Sequence, residues 1–600
     1  MRRTRTSFGA PGAVTSLVGV SVVIALIAAC GDDRGTFIQN DRAFETPPEA
    51  GAPDAETCLL QCSLDGRSIV DSCTGDVVEK CADDLACGAA KCQEPCAAAE
   101  ADRSSNGCDF YFTQPLSAYP FASCFATFVV NASNKPATVS LELGGEALDV
   151  SGALFRAVPN STDLELLEGP IPPGESAILF VADWDPTVPR TIGERLYHTS
   201  CPTAAKPAVQ ADGHFRSGIG DAFRLKSNVP VGLTWMYPYG GAGTHFPTAT
   251  LVLPVSAWAK EHVVVNGWEA NTGEPVTQIF AAEDDTEITI FGSKDVTNGV
   301  GFAGASAGMP AKIVLSKGQF AQIAQSQELT GSLVFSNKPT VTVGGNECAN
   351  VPSKAAACDT LAQQIPAFEQ WGSEYVGIGY RPRTANTEEV VWYRMVGGRD
   401  GTELEYDPVK PAGAPTTLSA GELVLFRARS NDAFVVRARD AEHPFYLGIH
   451  MSGADGEESD SPSHGGMGDP EFVNVVPAGQ YMSSYSFYAD SSFSEHSLVI
   501  VRKKTHGDFK DVWLECAGDL PDWKPIDNAG QYEYRRVDLS RNFGPGDSFG
   551  EKRCTTGLQR MRSEGAFSAT LWGWGKYASY AYPGGMAFRK LVETPLAPVN

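Results

Sequence analysis

The chain has 600 residues, with 47 Lys and Arg against 72 Asp and Glu, which gives a net charge of −25 at neutral pH. A surface this acidic repels phosphate backbones and anionic headgroups, so the composition argues against nucleic acid and against direct docking on anionic lipid. The length predicts several domains of about 100–200 residues each.

The first thirty residues resemble an export signal. Arg2, Arg3 and Arg5 supply positive charge, and an apolar run over 13–29 ends in small residues directly before Cys30. This arrangement resembles the lipobox of bacterial lipoproteins, in which the signal peptide is removed and the cysteine becomes a lipidated N-terminus. The alternative is an uncleaved membrane helix, although the run is shorter than the ~20 residues that a spanning helix needs.

We therefore predict a lipoprotein signal peptide over 1–29, lipidation at Cys30 and a flexible acidic tether over 30–56. Both alternatives place residues 31–600 outside the cytoplasm. The predicted location is the cell envelope, with the chain anchored by lipid in the outer membrane and exposed at the surface. The residues around Cys30 do not decide between the inner and the outer membrane.

The cysteine content predicts a disulfide-bonded protein. Cys30 is one of 15 cysteines, and the other fourteen form an even set, as expected in an oxidising compartment. Eight lie in a Cys-rich unit over 57–108, whose connectivity is left open: Cys58, Cys62, Cys73, Cys81, Cys87, Cys92, Cys96 and Cys108. The other six are predicted to pair within their modules: Cys124 with Cys201, Cys348 with Cys358, and Cys516 with Cys554.

Zinc is the competing interpretation of the Cys-rich unit. Cys58-x3-Cys62 and Cys92-x3-Cys96 bring thiols close enough in sequence to bind one ion. The unit contains no histidine and its cysteine spacing is irregular, so disulfides are favoured and no metal is predicted.

Beyond residue 108 the sequence is typical of an all-β protein. Short runs rich in Val, Ile, Phe, Tyr and Thr alternate with Gly, Pro, Asn and Asp, as in 125–130, 286–291 and 389–394. Amphipathic segments long enough for a stable helix are hard to find.

An internal repeat of about 110 residues divides this region. Pro254, Pro366 and Pro477 each precede an aromatic residue at a similar distance, and they lie 112 and 111 residues apart. The period fits tandem β-sandwich-like modules better than a solenoid repeat. The predicted modules are 109–250, 251–347, 348–472 and 473–600. The alternative is that four units close around an axis like large propeller blades.

Several motifs resemble one known family. They are Val343-Gly-Gly-Asn-Glu-Cys-Ala-Asn-Val-Pro352, Gln364-Ile-Pro-Ala-Phe368, Gly468-Asp-Pro-Glu471 and Tyr580-Ala-Tyr-Pro-Gly-Gly585. In this order they resemble the family named for the N-terminal domain of the IgG Fc-binding protein, over roughly 109–590. The family pattern has His where Asn346 stands. The resemblance implies a binding role, but no binding residues transfer from it, and immunoglobulin is not carried over as the ligand of a bacterial surface protein.

The sequence motifs that could indicate catalysis lack the context that catalysis needs. Gly304-Ala-Ser306-Ala-Gly308 matches G-x-S-x-G, yet it lies in a Gly- and Ala-rich run that is typical of a loop rather than of a nucleophile elbow. The nine histidines form no metal-binding pair. They are His198, His214, His245, His262, His443, His450, His464, His496 and His506, and His262 is interpreted as a packing residue.

Two acidic clusters and a group of aromatic residues are further candidates. Asp455–Asp460 with Asp469 and Glu471, and separately Glu283–Asp285, offer oxygen ligands for calcium, although solvated loop charge is the simpler interpretation. The loop over 452–467 is expected to be mobile and open to partners. Trp572 and Trp574 could stack on sugars, but a place in the core or an interface is favoured.

The resulting hypothesis is a non-catalytic binding or adhesion protein without cofactors. Its expected partners are the membrane, through the lipid anchor, and an extracellular protein or glycan. An extracellular hydrolase that uses Ser306 and a structural part of an envelope assembly remain the alternatives. The identity of the ligand and the residues that bind it stay open.

Overall fold

Short β-strands carry almost all of the regular structure, because β-branched and aromatic residues alternate with turn residues along most of the chain. The computed structural model describes residues 60–63, 66–71, 74, 76–118, 122–158, 161–189, 197–211, 216–384, 389–454 and 463–596. Within these ranges the predicted all-β fold, with sandwich-like modules after a small disulfide-rich unit, is confirmed. No helix in the described ranges is both long and apolar enough to cross a membrane.

The Cys-rich unit consists of a three-stranded sheet, a hairpin and one short helix. Its elements are β1 (Leu60–Cys62), β2 (Ser68–Asp71), β3 (Val77–Lys80), β4 (Ala86–Gly88), β5 (Lys91–Gln93) and α1 (Pro95–Asp102). Disulfides join Cys62 to Cys87, Cys81 to Cys92, and Cys96 to Cys108. Cys58 and Cys73 lie outside the described residues, as do Cys30, the signal peptide and the tether.

The first module is built on a ten-stranded sheet in which a long strand, β15, pairs with four others. The ten strands of this sheet are β6 (Asn106–Phe112), β7 (Phe125–Val130), β8 (Val139–Leu143), β9 (Glu146–Leu148), β10 (Leu154–Ala157), β11 (Leu164–Leu166), β12 (Ser176–Trp184), β13 (Val209–Ala211), β15 (Phe223–Tyr237) and β16 (Thr248–Leu251), and β14 (Gly218–Asp221) lies between β13 and β15 in the chain. Strand β14 crosses over and pairs with the sheet of the second module.

The second module is an eight-stranded sheet centred on one long strand, β22. Its own strands are β17 (Ala259–Val263), β18 (Pro275–Ala281), β19 (Thr286–Phe291), β20 (Pro310–Leu315), β21 (Gln319–Ala324), β22 (Leu333–Ala349) and β23 (Asp359–Ile365). Strand β23 pairs with β22 from Thr342 onward, so it closes this module.

The third module is a sandwich of two four-stranded sheets, β24-β29-β26-β27 and β28-β25-β30-β31. The strands are β24 (Glu374–Gly377), β25 (Val390–Gly397), β26 (Thr402–Asp407), β27 (Thr417–Leu418), β28 (Leu423–Arg429), β29 (Phe434–Ala438), β30 (Phe445–Met451) and β31 (Glu471–Asn474). Tyr393 and Phe434 meet between the sheets with ring centroids 5.2 Å apart, and both are buried.

The fourth module is a nine-stranded sheet with an additional small hairpin, β39-β40. The strands are β32 (Met482–Ala489), β33 (Glu495–Lys503), β34 (Val512–Leu514), β35 (Gly518–Asp519), β36 (Lys524–Pro525), β37 (Tyr532–Arg541), β38 (Gly544–Pro545), β39 (Ser548–Phe549), β40 (Lys552–Arg553), β41 (Gly557–Gly575) and β42 (Ala578–Pro583). Four short 3-10 helices complete the described structure: Gly241–Thr244, Val255–Ala257, Phe368–Gln370 and Ala478–Gln480.

The modules close around a common axis. Strands β16, β23, β31 and β42 each contact the next, and β42 returns to β16. Polar side chains join them: the Gln363 amide donates to the carbonyl oxygens of Ala249 (2.8 Å) and Ala581 (3.0 Å). The two ends of the repeat region also meet, because Ser104 bridges to Ala587. The modules are therefore arranged in a ring, which is the alternative that the sequence analysis gave to a linear array of modules.

The predicted divisions between modules do not coincide with the ends of strands. The divisions at 108/109, 250/251, 347/348 and 472/473 fall inside β6, β16, β22 and β31. Two of these strands, β16 and β31, are axis strands, and Pro254 and Pro477 come just after them; Pro366 follows the axis strand β23 in the same way. The proline motif marks the point at which the chain leaves the axis. The sheets contain strands that precede this motif and strands that follow it, so the motif does not mark the boundary between two sheets.

Candidate binding surface

The three remaining disulfides coincide with the pairs inferred from the sequence. Cys124 is bonded to Cys201, Cys348 to Cys358 and Cys516 to Cys554, across separations of 77, 10 and 38 residues. The described part of the chain contains no group of three or more His, Cys, Asp or Glu residues arranged to hold a metal ion.

The acidic candidates separate into a buried group and an exposed one. Asp469 and Glu471 are buried near the axis, so solvated loop charge is the wrong interpretation for these two. Asp359 joins them from β23, and the sequence did not indicate it. Glu283–Asp285 is an exposed turn, and residues 455–462 lie outside the described ranges.

Burial raises the pKa of Asp359 well above its ordinary range, and the neighbouring Asp469 and Glu471 raise it further. Burial also raises the pKa of Glu471. The Glu471 Oε1 atom lies 3.3 Å from the Thr248 hydroxyl, whereas Asp359 Oδ2 and Glu471 Oε2 have no hydrogen-bond partner. These carboxyl groups are a feature of the interior, closed to a macromolecular ligand.

Three histidines are packing residues. His262 is buried, with Nε2 3.0 Å from the Thr340 hydroxyl, and burial lowers its pKa to about 4. His496 lies between the hydroxyls of Ser540 (2.7 Å) and Tyr580 (2.9 Å), and burial lowers its pKa to about 3. His450 is buried beside Phe472, with ring centroids 5.2 Å apart, and burial lowers its pKa well below the ordinary value.

Ser306 lacks the surroundings of a nucleophile elbow. It is exposed, and the element that follows it is strand β20 rather than a helix. Its carbonyl oxygen accepts a hydrogen bond from the Met309 amide at 2.9 Å, as in an ordinary turn. The G-x-S-x-G match is therefore a surface loop.

Trp572 and Trp574 lie in the core. Both are almost fully buried; Trp572 lies beside Tyr380, with ring centroids 4.6 Å apart, and the Arg381 guanidinium stacks 4.8 Å from the Trp574 ring. Their faces are covered, so they are not sugar-stacking platforms.

An open cavity with a volume of about 1140 Å³ lies between the third and fourth modules. We call it the basic groove. Among the described residues, its charged lining side chains are Lys410, Arg427, Arg429, Asp432 and Lys524, and the aromatic residues Phe434 and Tyr534 also line it. Arg427 and Arg429 are two positions apart on β28, so their side chains leave the same face of the strand.

Hydrogen bonds between the modules tie the groove together. The Arg536 guanidinium donates to Asn431 Oδ1 at 2.7 Å and to the Gly379 carbonyl at 2.9 Å, and it lies 5.5 Å from the Tyr534 ring. The Asp407 carboxylate accepts a hydrogen bond from the backbone N–H of Asn528 at 2.9 Å. The groove is therefore preformed, since both walls are attached to rigid sheets.

A second cavity, of about 960 Å³, lies where the fourth module meets Ala132 of the first. The Arg562 guanidinium stacks 4.7 Å from the Trp513 ring along its wall. Its charged lining contains both signs: Lys510, Asp511, Asp519, Arg560, Arg562 and Glu564. Because these charges balance, this cavity has no selectivity for one sign of ligand.

The groove residues were not among the sequence candidates. The alternation Arg427-Ala428-Arg429 in a predicted strand was a local signal for a charged face. Lys410 and Lys524 had no such signal, because 114 residues separate them in the chain.

Fold and surface together define a disulfide-bonded, all-β, multi-module protein whose modules form a ring with open grooves between them. The chain belongs to the IgGFc-binding protein family, whose model matches residues 248–573. The human IgGFc-binding protein is 28% identical over 314 residues, which cover 52% of this chain but only 5% of the human protein. The basic groove falls entirely within the family match.

Proposed function

We propose that this protein is a lipid-anchored surface protein that binds an extracellular protein ligand without converting it chemically. The observation that carries the proposal is the preformed basic groove inside the span that matches the family. The human relative is named for binding IgG Fc, which supports a protein as the class of ligand. The buried histidines and carboxyl groups support a non-catalytic role, because no substrate can reach them.

The binding function is tested with the mature chain, disulfides intact, immobilised through its C-terminus. Purified extracellular proteins, including IgG Fc, and a set of glycans are passed over it in biolayer interferometry. We expect reversible binding of a protein that is released with unchanged mass. Binding confined to glycans, or release of a protein of altered mass, would contradict the proposal.

The proposed anchor rests on the lipobox-like residues before Cys30. Cells expressing the full chain are labelled with an alkyne fatty acid, fractionated, and treated with protease while intact. The wild type and a Ser21→Ala control should carry label, sediment with membranes and be cleaved from outside. Cys30→Ser should lose the label. Label retained in that variant would refute the tether, and protection of the wild type from protease would refute surface display.

A further inference from the structure

A row of four side chains crosses the sheet of the fourth module at the second cavity. In the strand register, Asp519 of β35 lies opposite Trp513 of β34, which lies opposite Arg562 of β41, which in turn lies opposite Ser484 of β32. Directly opposed residues of antiparallel strands project from the same face of a sheet. Because neighbouring strands are about 4.8 Å apart, the row is about 14 Å long. One extended ligand can therefore contact a carboxylate, an aromatic ring, a guanidinium and a hydroxyl in succession.

Both sides of the second cavity are fixed by the surrounding structure. The Cys516–Cys554 disulfide anchors the turn of the hairpin β34-β35, which supplies the first two members of the row. The first module contributes Ala132, in a turn held by the buried Asn131 side chain, whose amide nitrogen donates to the Ile171 carbonyl oxygen at 2.9 Å. The cavity is therefore formed before a ligand arrives, and little ordering of the protein opposes binding.

The charged groups of the row have hydrogen-bonding capacity left for a ligand. Arg560 is paired with Glu515 at 3.3 Å. Two positions further along β41, the exposed Arg562 guanidinium lies 4.7 Å from the centre of the Trp513 ring and forms no ion pair with a described residue. Asp519 is also exposed and has no cationic partner in the described part of the chain. The row therefore offers a group that only donates and a group that only accepts.

The charges that line the second cavity are balanced. The stretches that form it lie well inside described ranges: 132, 484–486, 509–519 and 560–564. Among these residues, the charged lining side chains are three cations and three carboxylates: Lys510, Arg560, Arg562, Asp511, Asp519 and Glu564. A ligand of either sign would meet like charges, so the lining favours a neutral ligand.

A ligand with many hydroxyls uses all of these groups. A hydroxyl both donates and accepts, so neighbouring hydroxyls can accept from Arg562 and donate to Asp519. The C–H face of a sugar ring packs on an aromatic ring, and the half-buried Trp513 keeps part of its ring open to the cavity. Ala132 is the exposed aliphatic side chain among the described lining residues, so a peptide finds no pocket for larger apolar side chains.

We infer that the second cavity binds a neutral oligosaccharide that stacks on Trp513 and is hydrogen-bonded by Asp519 and Arg562. The cavity volume of about 960 Å³ lies within the ~300–1,000 Å³ of ligand pockets and accommodates several sugar units. This is a second binding activity, at a different cavity from the basic groove, and it does not depend on the protein-binding function proposed above.

The test uses the mature full chain with disulfides intact and isothermal titration calorimetry. The probes are four neutral tetrasaccharides, of glucose, galactose, mannose and N-acetylglucosamine, together with a tetragalacturonate and a Ser-Gly octapeptide. We expect at least one neutral tetrasaccharide to bind, with an affinity that changes less than twofold between 0.1 and 1 M salt, because salt screens only charged contacts. The tetragalacturonate and the peptide should each bind at least tenfold more weakly than the best neutral sugar.

Substitutions in the row test the location. Trp513→Ala should weaken binding of the best neutral sugar at least tenfold. Asp519→Asn and Arg562→Gln, at exposed positions where the thermal midpoint should stay unchanged, should each weaken it at least threefold. Trp523→Ala is the matched control, because Trp523 lies 4.1 Å from the Arg502 guanidinium in the same module but outside the cavity. This control should keep the affinity within twofold.

Three results would overturn the inference: no binding of any neutral tetrasaccharide, preference for the tetragalacturonate or the peptide, or wild-type affinity in all three row variants. Protein binding is measured separately by interferometry. If Trp513→Ala loses the sugar and keeps the protein ligand, the two activities reside at different sites. If the wild type binds the sugar at the row and no protein, the proposed protein-binding function fails while this inference stands.

Discussion

Arg383 and Glu389 face each other in the interior of the third module, with Nη2 2.7 Å from Oε1 and no solvent exposure of either side chain. The same guanidinium donates to the carbonyl oxygens of Ser452 (2.8 Å) and Met467 (3.0 Å). These two residues lie on either side of the segment over 455–462. One buried cation thus fixes both ends of the loop that the sequence singled out, and its charge is balanced by Glu389.

Removing this cation should be strongly destabilising. Arg383→Met leaves the Glu389 carboxylate buried without its partner, and breaking such a pair costs about 3–5 kcal/mol. The thermal midpoint in scanning calorimetry should fall by several degrees. Arg439→Met is the matched control, because its pair with Glu403 is largely exposed and exposed pairs contribute about 0.2–1 kcal/mol. Equal effects of the two substitutions would contradict the assigned role.

The buried carboxyl groups at the axis should make stability depend on pH. Asp359 and Glu471 have raised pKa values in the folded state, so the unfolded chain releases these protons first as pH rises. Their contribution is complete below the ordinary pKa of Asp and Glu and is lost as pH rises through the raised values. The thermal midpoint of Glu471→Gln should therefore rise relative to that of the wild type as pH increases from 5 to 9.

The measurement for this prediction is a series of thermal midpoints by intrinsic fluorescence at each pH. Glu551→Gln, at an exposed turn, is the control and should follow the wild type. A constant difference between Glu471→Gln and wild type across the pH range would show that the pKa of the Glu471 carboxyl group is not raised in the folded chain.

The family-like motif contains glycines that the backbone requires. A Cβ on Gly344 would collide with the Val265 carbonyl oxygen. Gly344→Ala should therefore destabilise by about 1–3 kcal/mol, as overpacking of a core does. Gly243→Ala, where the added carbon meets nothing within 4 Å, is the control. Urea denaturation followed by circular dichroism compares the free energies of unfolding of the two variants. An unchanged free energy of unfolding in Gly344→Ala would contradict the close packing of Gly344 against the Val265 carbonyl oxygen.

The loss of stability on removing a disulfide should increase with the length of the loop that the disulfide closes. Replacing both cysteines by alanine at Cys124–Cys201, Cys516–Cys554 and Cys348–Cys358 opens loops with separations of 77, 38 and 10 residues. The chain-entropy relation gives losses of about 4.5, 4 and 2.5 kcal/mol respectively. Calorimetric midpoints of the three double variants test this order, and a reversed order would mean that native-state effects outweigh loop entropy.

The sequence determined the features that local chemistry controls. The period-two patterning and turn residues identified an all-β chain, because side chains on a strand alternate between its two faces. The repeated proline motifs identified modules of about 110 residues, and assigning cysteines within modules led to Cys124–Cys201, Cys348–Cys358 and Cys516–Cys554.

Only the tertiary structure decided how the modules meet. Ring closure places Ser104 beside Ala587, and it buries Asp469 and Glu471 against Asp359, although nothing near these residues in sequence distinguishes them from loop carboxylates. The basic groove arises in the same way, since Lys410 and Lys524 share a lining only after two sheets have packed. Contacts of this kind depend on the shapes of whole sheet faces, which strand periodicity does not encode.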